Sequence, residues 1–198
     1  MPQLPMSDPL DWFRHWMDEA LASTEPEPTA MSLATVDEEG QPTVRIVLLK
    51  DFDRKGFVFY TNLVSDKGQH LLANGRAGLC FLWKAMGRQV RIDGPVELVS
   101  DEEADSYFAS RPRGSQIGAW ASKQSQPLDS RQTLIDRVAH FEEKFADQKV
   151  PRPDFWSGFR LVPKQVEFWQ LGEFRLHDRW RLERQGEDWS WDCQRLYP

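Results

Sequence analysis

The sequence predicts a mainly β fold with added helices, in which antiparallel strands form a β-barrel. Short segments of strand character recur along the chain, and glycine and acidic turns separate them. Only a few stretches show apolar residues at helical spacing. Many short antiparallel strands with few helices favour a barrel over a parallel α/β sheet.

Composition predicts one compact domain over residues 1–198. The chain has 198 residues, of which 40% are apolar, and it shows no internal repeat or linker. The formal net charge of -6 argues against a nucleic-acid partner, which usually requires a basic surface. Any anion that the protein binds must therefore meet local positive charge.

The cysteines and the N-terminus predict a soluble, cytoplasmic protein. Cys80 and Cys193 lie far apart, with neither the spacing of a metal site nor that of a disulfide framework. The N-terminus lacks the pattern of a signal peptide, and no apolar run is long enough to span a bilayer. We expect no metal and no membrane partner.

In the first hundred residues we expect two helices and five strands. The first helix follows Asp8 and buries a stripe of Leu10, Phe13, Met17 and Leu21. A short second helix starts at a Ser65 cap and ends before Gly75. The strands are expected at 31–36, 43–50 and 57–61 as a meander, and at 77–83 and 88–99 as a hairpin.

The second half combines two helices with four strands. Ser100 begins a capping box, so a helix should run from Asp101 until Pro112 breaks it. A second helix over 130–145 has apolar residues on one side. Strands are expected at 158–162, 165–171, 174–183 and 189–193.

The most informative segment is residues 166–179. If its second half is a strand, Arg175, His177 and Arg179 stand in one row and form an anion site. Trp169 supplies a flat apolar wall beside this row, which suits an aromatic, phosphorylated ligand. The alternative is an exposed basic strand edge that prevents aggregation.

Further cations lie in the first half of the chain. Arg45 and Lys50 flank an apolar run on opposite faces of a strand; both are solvated on an edge strand, whereas each needs an anionic partner on a buried one. The apolar run favours burial. Lys67 lies at the start of a helix, where free N–H groups attract phosphate.

Two polar groups have open interpretations. Gln89 belongs to the polar face of a strand and suits the edge of a flavin ring, but an outward-facing polar stripe is the commoner explanation of this pattern. Tyr107, Arg111 and Ser115 reach one phosphate if a new helix starts at Pro112; otherwise Arg111 stabilises a helix C-terminus. No glycine-rich phosphate loop, zinc pair or serine nucleophile motif is present.

Taken together, these segments resemble the pyridoxamine 5'-phosphate oxidase family over nearly the full chain. Residues 166–179 match the family's C-terminal signature, an aliphatic residue, Glu, an aromatic, Trp, then Arg-aliphatic-His-acidic-Arg after five further positions. Other blocks resemble the family in the same order, at 45–50, 60–62, 88–90, 110–113, 115–120, 122–125 and 195–198.

The resemblance implies a split β-barrel that dimerises and holds FMN at the subunit interface, with dimerisation and substrate-binding residues at about 155–198. The residues implied to contact FMN are Arg45, Ile46, Val47, Leu48, Leu49, Lys50, Tyr60, Thr61, Lys67, Gln89, Gln124, Ser125, Trp169 and Arg179. Those implied to hold the substrate are Lys50, Tyr107, Arg111, Ser115, Arg175, Leu176 and His177.

The implied reaction converts pyridoxamine or pyridoxine 5'-phosphate to pyridoxal 5'-phosphate, with O2 as the acceptor and H2O2 as product. Arg175 and His177 are the implied catalytic residues. Two alternatives are a split-barrel flavin reductase or other FMN oxidoreductase, and a non-catalytic carrier of pyridoxal 5'-phosphate or FMN.

The chain departs from the family pattern in three places. The Arg-rich N-terminal stretch that covers the substrate in many members is absent from the sequence before the first helix. Asp66 stands where members often have Arg, which removes a cation near a phosphate and should weaken FMN affinity. Glu27 stands where Asp is usual near the substrate.

Overall fold

The computed structural model describes residues 7–186 and 189–198, which form five α-helices and ten strands. The helices are α1 Pro9–Ala22, α2 Asp66–Asn74, α3 Asp101–Ser110, α4 Arg113–Ala121 and α5 Arg131–Lys144. The strands are β1 Ala30–Val36, β2 Pro42–Leu48, β3 Asp51–Asp53, β4 Gly56–Asn62, β5 Arg76–Trp83, β6 Arg88–Leu98, β7 Trp156–Leu161, β8 Gln165–Gln170, β9 Asp178–Gln185 and β10 Ser190–Leu196.

Strand β6 joins the two parts of the sheet. Its first half pairs with β5 and β8 within the order β10-β9-β8-β6-β5-β1-β2, and its last residues pair with β7, which continues to β4 and β3. The strand changes partners at Gly94, where a Cβ would lie 2.0 Å from the Val162 carbonyl oxygen. Only glycine permits this close approach. The result is the curled, open barrel expected from the sequence.

Helix α1 fills the inside of this curl. Asp8 caps it by accepting the Leu10 N–H at 2.8 Å. Trp12 stacks on Phe168 with ring centroids 4.1 Å apart, and Phe13 meets Phe81 edge to face. Burying such large rings dominates the stability of the core.

The buried stripe of α1 differs at one position from the prediction. Leu10, Phe13 and Met17 are buried as expected, but Leu21 is 58% exposed. Ala20 takes the inner position of the last turn and is fully buried. Positions three and four beyond Met17 both lie near the core face, and the smaller side chain fits under the sheet.

Helices α3, α4 and α5 form a second apolar cluster beside β7. Phe108, Ile117, Phe145 and Trp156 are buried in it. Ser100 caps α3 as predicted by accepting the Glu103 N–H, and Ser130, at the predicted start of the next helix, caps α5 by accepting the Thr133 N–H. This cluster places α3 and α4 opposite β4.

Two predictions of strand arrangement are wrong. Strand β4 does not continue a meander from β2, because it pairs with β3 and β7. The segment 174–183 is not a strand throughout. Glu173–Arg175 forms a 3-10 turn in which Phe174 and Arg175 have left-handed φ angles of 53° and 65°, and β9 begins only at Asp178.

The prediction that the β2 region is buried is also wrong for the single chain. Strand β2 is an edge strand, and Val44 and Ile46 are 65% and 64% exposed. They belong to the outer face, which we define as the side of β1, β2, β5, β6, β8 and β9 that points away from α1. No helix among the described residues is long and apolar enough to cross a membrane.

Candidate active site

A cleft of about 780 Å³ opens between the edge strand β2, strand β4 and helices α3 and α4. It brings together side chains that are far apart in the sequence. Its lining is Ile46, Val47, Leu48, Lys50, Tyr60, Thr61, Asn62, Lys67, Tyr107, Ser110, Arg111, Pro112, Ser115, Gly118, Ala119, Ser122, Gln124 and Trp156. Eleven of the positions predicted to bind a ligand are among these, and Arg45, Leu49 and Ser125 are directly beside them in the sequence.

Lys67 marks one end of the cleft. Its Nζ donates to Thr61 Oγ1 at 3.2 Å, Ser65 Oγ at 3.0 Å and Gln124 Oε1 at 2.6 Å. Burial, together with the charge of Arg45, lowers the pKa of Lys67, and Asp66 opposes this shift. Because its hydrogen-bond acceptors are neutral, the ammonium keeps its charge available for an anion.

Arg45 lies close to Lys67 and is held by hydroxyl groups. Its two terminal nitrogens donate to Thr35 and Thr43, each at 2.6 Å. His70 Nδ1 lies 3.1 Å from the same Thr35 hydroxyl. Burial lowers the pKa of Arg45, and Asp66 opposes this shift. No ion pair of Arg45 occurs among the described residues, so the anionic partner expected on a buried strand is absent there.

Ser125 ties the loop after α4 to this end of the cleft. Its hydroxyl accepts the Asp66 N–H at 3.2 Å in the first turn of α2. Ser125 has a left-handed φ of 70°, which is costly for a residue with a side chain. The strained loop holds Gln124 against Lys67. Asp66 itself is exposed beside both cations, as its position in the sequence suggested.

Arg111 marks the other end of the cleft. Its guanidinium lies over Trp156, 4.8 Å from the ring centroid, and its Nη1 atom is buried without a hydrogen-bond partner among the described residues. Burial lowers its pKa. A new helix does start after Pro112, so Ser115 lies in the first turn of α4 as the phosphate interpretation required.

Stacked aromatic rings form the wall between the two ends. Tyr60 and Tyr107 lie 3.9 Å apart and nearly parallel, and Trp156 continues the stack. Burial raises the pKa of Tyr60 to about 12 and also raises that of Tyr107. Both hydroxyls stay protonated near neutral pH and can donate hydrogen bonds. Sequence reasoning missed Trp156; a tryptophan next to a predicted strand was its only signal.

The other predicted residues lie elsewhere in the chain. Gln89, Trp169 and Arg179 are register neighbours on the outer face of β6, β8 and β9. Four strand spacings separate β8 from β2, or about 19 Å at the usual distance between strands. Within one chain, these residues are therefore remote from the cleft. Leu49, also predicted to bind a ligand, is a buried core residue next to Lys50.

Arg175, Leu176 and His177 lie in the segment before β9, where Arg175 and Leu176 are exposed and His177 is partly buried. The predicted row of Arg175, His177 and Arg179 does not form, because the left-handed residues of the turn break the alternation. Trp169 does lie against His177, with ring centroids 4.5 Å apart. The aromatic wall is thus present, but beside a turn and not beside a strand.

Glu167 is a buried acid that the sequence reasoning overlooked. Its side chain is 2% exposed, and Oε1 accepts from Arg179 Nε and Nη2 at 2.9 and 2.8 Å. Arg91 and Arg181 lie 3.9 and 3.7 Å from Oε2. An acidic residue inside an apolar strand was the signal, since such residues are seldom buried unless paired.

Two family profiles match the chain. The one described as pyridoxamine 5'-phosphate oxidase covers residues 17–145. The one described as the pyridoxine 5'-phosphate oxidase C-terminal dimerisation region covers residues 156–198.

Similar proteins support the same assignment. A pyridoxine/pyridoxamine 5'-phosphate oxidase of Rhizobium meliloti is 55% identical over 97% of this chain and 93% of its own length, and one of Brucella canis is 54% identical over 97% and 95%. The crystal structure of PhzG from Burkholderia lata in complex with tetrahydrophenazine-1-carboxylic acid has a TM-score of 0.93 and 30% identity, covering 100% of this chain and 97% of its own.

A further structure shares the fold alone. A pyridoxamine 5'-phosphate oxidase-related, FMN binding protein from Nostoc punctiforme has a TM-score of 0.77 and 16% identity, with both chains fully covered.

The split-barrel fold and these relatives place the chain among the FMN-dependent oxidoreductases, and two groups of donors lie in or beside its cleft. Lys67 and Arg45 form one group, and Arg111 with Ser115 forms the other. The chain belongs to the pyridoxamine 5'-phosphate oxidase family. This confirms the resemblance, the fold, the enzyme class and the FMN cofactor that the sequence predicted.

Proposed function

We propose that the protein oxidises pyridoxamine 5'-phosphate and pyridoxine 5'-phosphate to pyridoxal 5'-phosphate, with O2 as acceptor and H2O2 as product. The observation that carries this proposal is the pairing of two separate donor groups in one cleft. Each group is cationic, and neither is neutralised by a hydrogen-bonded carboxylate among the described residues. A cofactor phosphate and a substrate phosphate account for both.

The Lys67 end fits the phosphate of FMN. Arg45, Thr61, Lys67, Gln124 and Ser125 would hold it, because they converge on the first turn of α2 and supply charge-assisted donors. Bound there, FMN would supply the acceptor for a hydride from the C4′ carbon of the substrate and the route by which the electrons reach O2. Ile46, Val47, Leu48, Lys50 and Tyr60 would border the ring system.

The Arg111 end would hold the substrate. The N–H groups on the buried Nη1 atom of Arg111 have no partner among the described residues and can donate to a phosphate, and Tyr107 and Ser115 add hydroxyl donors. Lys50 also lines the cleft and adds a further cation. The protein's contribution is to fix the pyridine ring against the flavin and to exclude water from the reacting carbon.

A second copy of the chain would complete each site. Gln89, Trp169 and Arg179 are too distant to reach the cleft of their own chain, yet they share the outer face with the exposed Ile46, and the turn with Arg175 lies between β8 and β9, which carry Trp169 and Arg179. A twofold contact is isologous, so the outer face of each chain would cover the cleft of the other. FMN would then lie at the interface.

In this arrangement, residues 1–198 act as one FMN-binding domain, and the region at about 155–198 supplies the dimer and substrate contacts. Arg175 would fix the substrate over the flavin and stabilise charge as it develops, while His177 would orient the ring substituents. A cytoplasmic location also belongs to the proposal, since Cys80 and Cys193 are both free thiols.

The dimer can be tested on its exposed apolar edge. The substitution Ile46→Glu places a charge on the outer face, so we expect the dimer to dissociate and FMN affinity to fall at least tenfold. Analytical ultracentrifugation gives the mass. Ile135→Glu on α5, at a similarly exposed position, is the control and should remain dimeric. An Ile46→Glu protein of unchanged mass would contradict this interface.

The phosphate site can be tested with two substitutions that are expected to change FMN affinity in opposite directions. We expect Lys67→Met to raise the Kd for FMN about 10- to 100-fold, the usual effect of losing a charge-assisted hydrogen bond. Asp66→Asn removes the opposing charge and should lower the Kd about two- to fivefold. Quenching of FMN fluorescence by the apoprotein measures both. Equal affinities in all three proteins would rule out this phosphate site.

The activity is tested anaerobically. The FMN-loaded protein is mixed with pyridoxamine 5'-phosphate or pyridoxine 5'-phosphate, and flavin absorbance is followed before and after O2 is admitted. We expect bleaching, then return of colour with formation of pyridoxal 5'-phosphate. A flavin that stays oxidised with both compounds would overturn the oxidase and favour a reductase with another donor, or a carrier.

A further inference from the structure

The turn between β8 and β9 has an unusual backbone. Phe174 and Arg175 are consecutive non-glycine residues with left-handed φ angles, and the Leu176 N–H closes the turn on the Glu173 carbonyl at 2.9 Å. Phe174 is 89% exposed, so packing within the described chain does not explain its conformation. A strained backbone conformation of this kind is kept only where contacts around the turn enforce it.

One contact in this turn reaches a proposed catalytic side chain. The backbone N–H of Gly172 donates to Nδ1 of His177 at 3.2 Å. A Cβ on residue 172 would lie 2.1 Å from the Leu176 carbonyl oxygen, so the turn closes this tightly only around glycine. Gly172 itself has an ordinary φ of -121°, which leaves close approach as its only special requirement.

The hydrogen bond determines which imidazole nitrogen carries the proton. An N–H can donate to Nδ1 only if that nitrogen has a free lone pair, and a neutral imidazole then has its proton on Nε2. Trp169 packs against the ring and restricts its rotation. The backbone and the tryptophan together define both the tautomer and the orientation of His177.

We propose that Gly172 is a positioning residue that locks His177 in the Nε2–H form, so that His177 serves the substrate as a hydrogen-bond donor. The inference rests on the proposed function for the substrate's identity. Nε2 already carries a proton and the Nδ1 lone pair is occupied, so His177 does not remove a proton from the substrate. The Nε2–H of His177 instead donates a hydrogen bond to an acceptor atom on the substrate ring or on one of its substituents.

The tautomer is measured in the FMN-loaded protein without substrate. The chain has four histidines, so ¹⁵N labelling of histidine gives few signals, and His177→Gln identifies those of residue 177. Long-range ¹H–¹⁵N correlation spectra distinguish a protonated from an unprotonated ring nitrogen. We expect an unprotonated Nδ1 and a protonated Nε2 near neutral pH. A proton on Nδ1 would overturn the proposal, whatever the activity of the enzyme.

Gly172→Ala tests the positioning role. We expect the His177 signals to change to a mixture of tautomers and kcat/KM to fall roughly tenfold, about the effect of one hydrogen bond, with FMN affinity unchanged. Gly114→Ala in α4 is the matched control, because a Cβ there meets no atom within 4 Å. A Gly172→Ala protein that keeps the Nε2–H form would contradict the role of Gly172. A wild-type protein that shows the expected tautomer but oxidises neither pyridoxamine nor pyridoxine 5'-phosphate would instead contradict the proposed function.

Discussion

Replacement of Arg175 by alanine is expected to lower kcat about 100- to 1,000-fold while FMN remains bound, the usual cost of removing a group that stabilises transition-state charge. Arg175 is exposed and makes no ion pair among the described residues, so the folded chain does not depend on it. Its position in a strained turn next to His177 suits a role toward a ligand. Stopped-flow bleaching of the flavin by pyridoxamine 5'-phosphate measures the step directly.

Two further variants serve as controls for the Arg175→Ala result. Arg175→Lys keeps the charge but loses the planar fork, and should recover only part of the rate. Arg54→Ala, at a side chain that is 81% exposed and far along the sequence, should leave the rate unchanged. Normal turnover in Arg175→Ala would remove this residue from the proposed mechanism.

Glu167→Gln should lower the free energy of unfolding by about 3 kcal/mol, because it leaves Arg91, Arg179 and Arg181 without their shared buried carboxylate. The side chain is 2% exposed and the three arginines are partly exposed, so water relieves only some of the repulsion. Urea unfolding of the FMN-free protein measures the change without contribution from the cofactor.

The control for Glu167→Gln is Glu183→Gln on the next strand. Glu183 also pairs with Arg181, but at 3.9 Å and with its side chain 49% exposed, so its loss should cost less than about 0.5 kcal/mol. Equal stability of the two variants would show that burial of Glu167 contributes nothing. We also expect Glu167→Gln to weaken FMN binding, since Arg179 loses the partner that orients it.

Local signals in the sequence predicted most of the secondary structure. Caps at Ser65 and Ser100 and the apolar spacing after Ser130 gave the helix starts, and the β5–β6 hairpin closes between Trp83 and Arg88 as expected. These features depend on neighbouring residues, so a single sequence contains them. The pairing of β4 with β7 depends on residues about a hundred positions away, and no local pattern encodes it.

Only part of the site was predicted, again because local signals can be read from the sequence and long-range contacts cannot. Lys67, Arg111 and Ser115 were identified from helix ends, and the structure brings them into one cleft. Arg175 and His177 were identified from the signature, but their strand was wrong because nothing in the sequence marks two left-handed residues without glycine. The apolar run of β2 was interpreted as buried, since the sequence does not distinguish a core strand from an edge strand with exposed apolar residues.

The position of β6 has a consequence for synthesis of the chain. One side of this central strand pairs with β5, which precedes it in the chain. The other side can pair only after β8 has been synthesised, about 70 residues later, which takes roughly 4 to 14 s at ribosomal rates. During that interval β6 presents unpaired N–H and C=O groups, the kind of edge that recruits other chains. Nascent chains should therefore be most prone to aggregate after β6 has emerged and before β8 has.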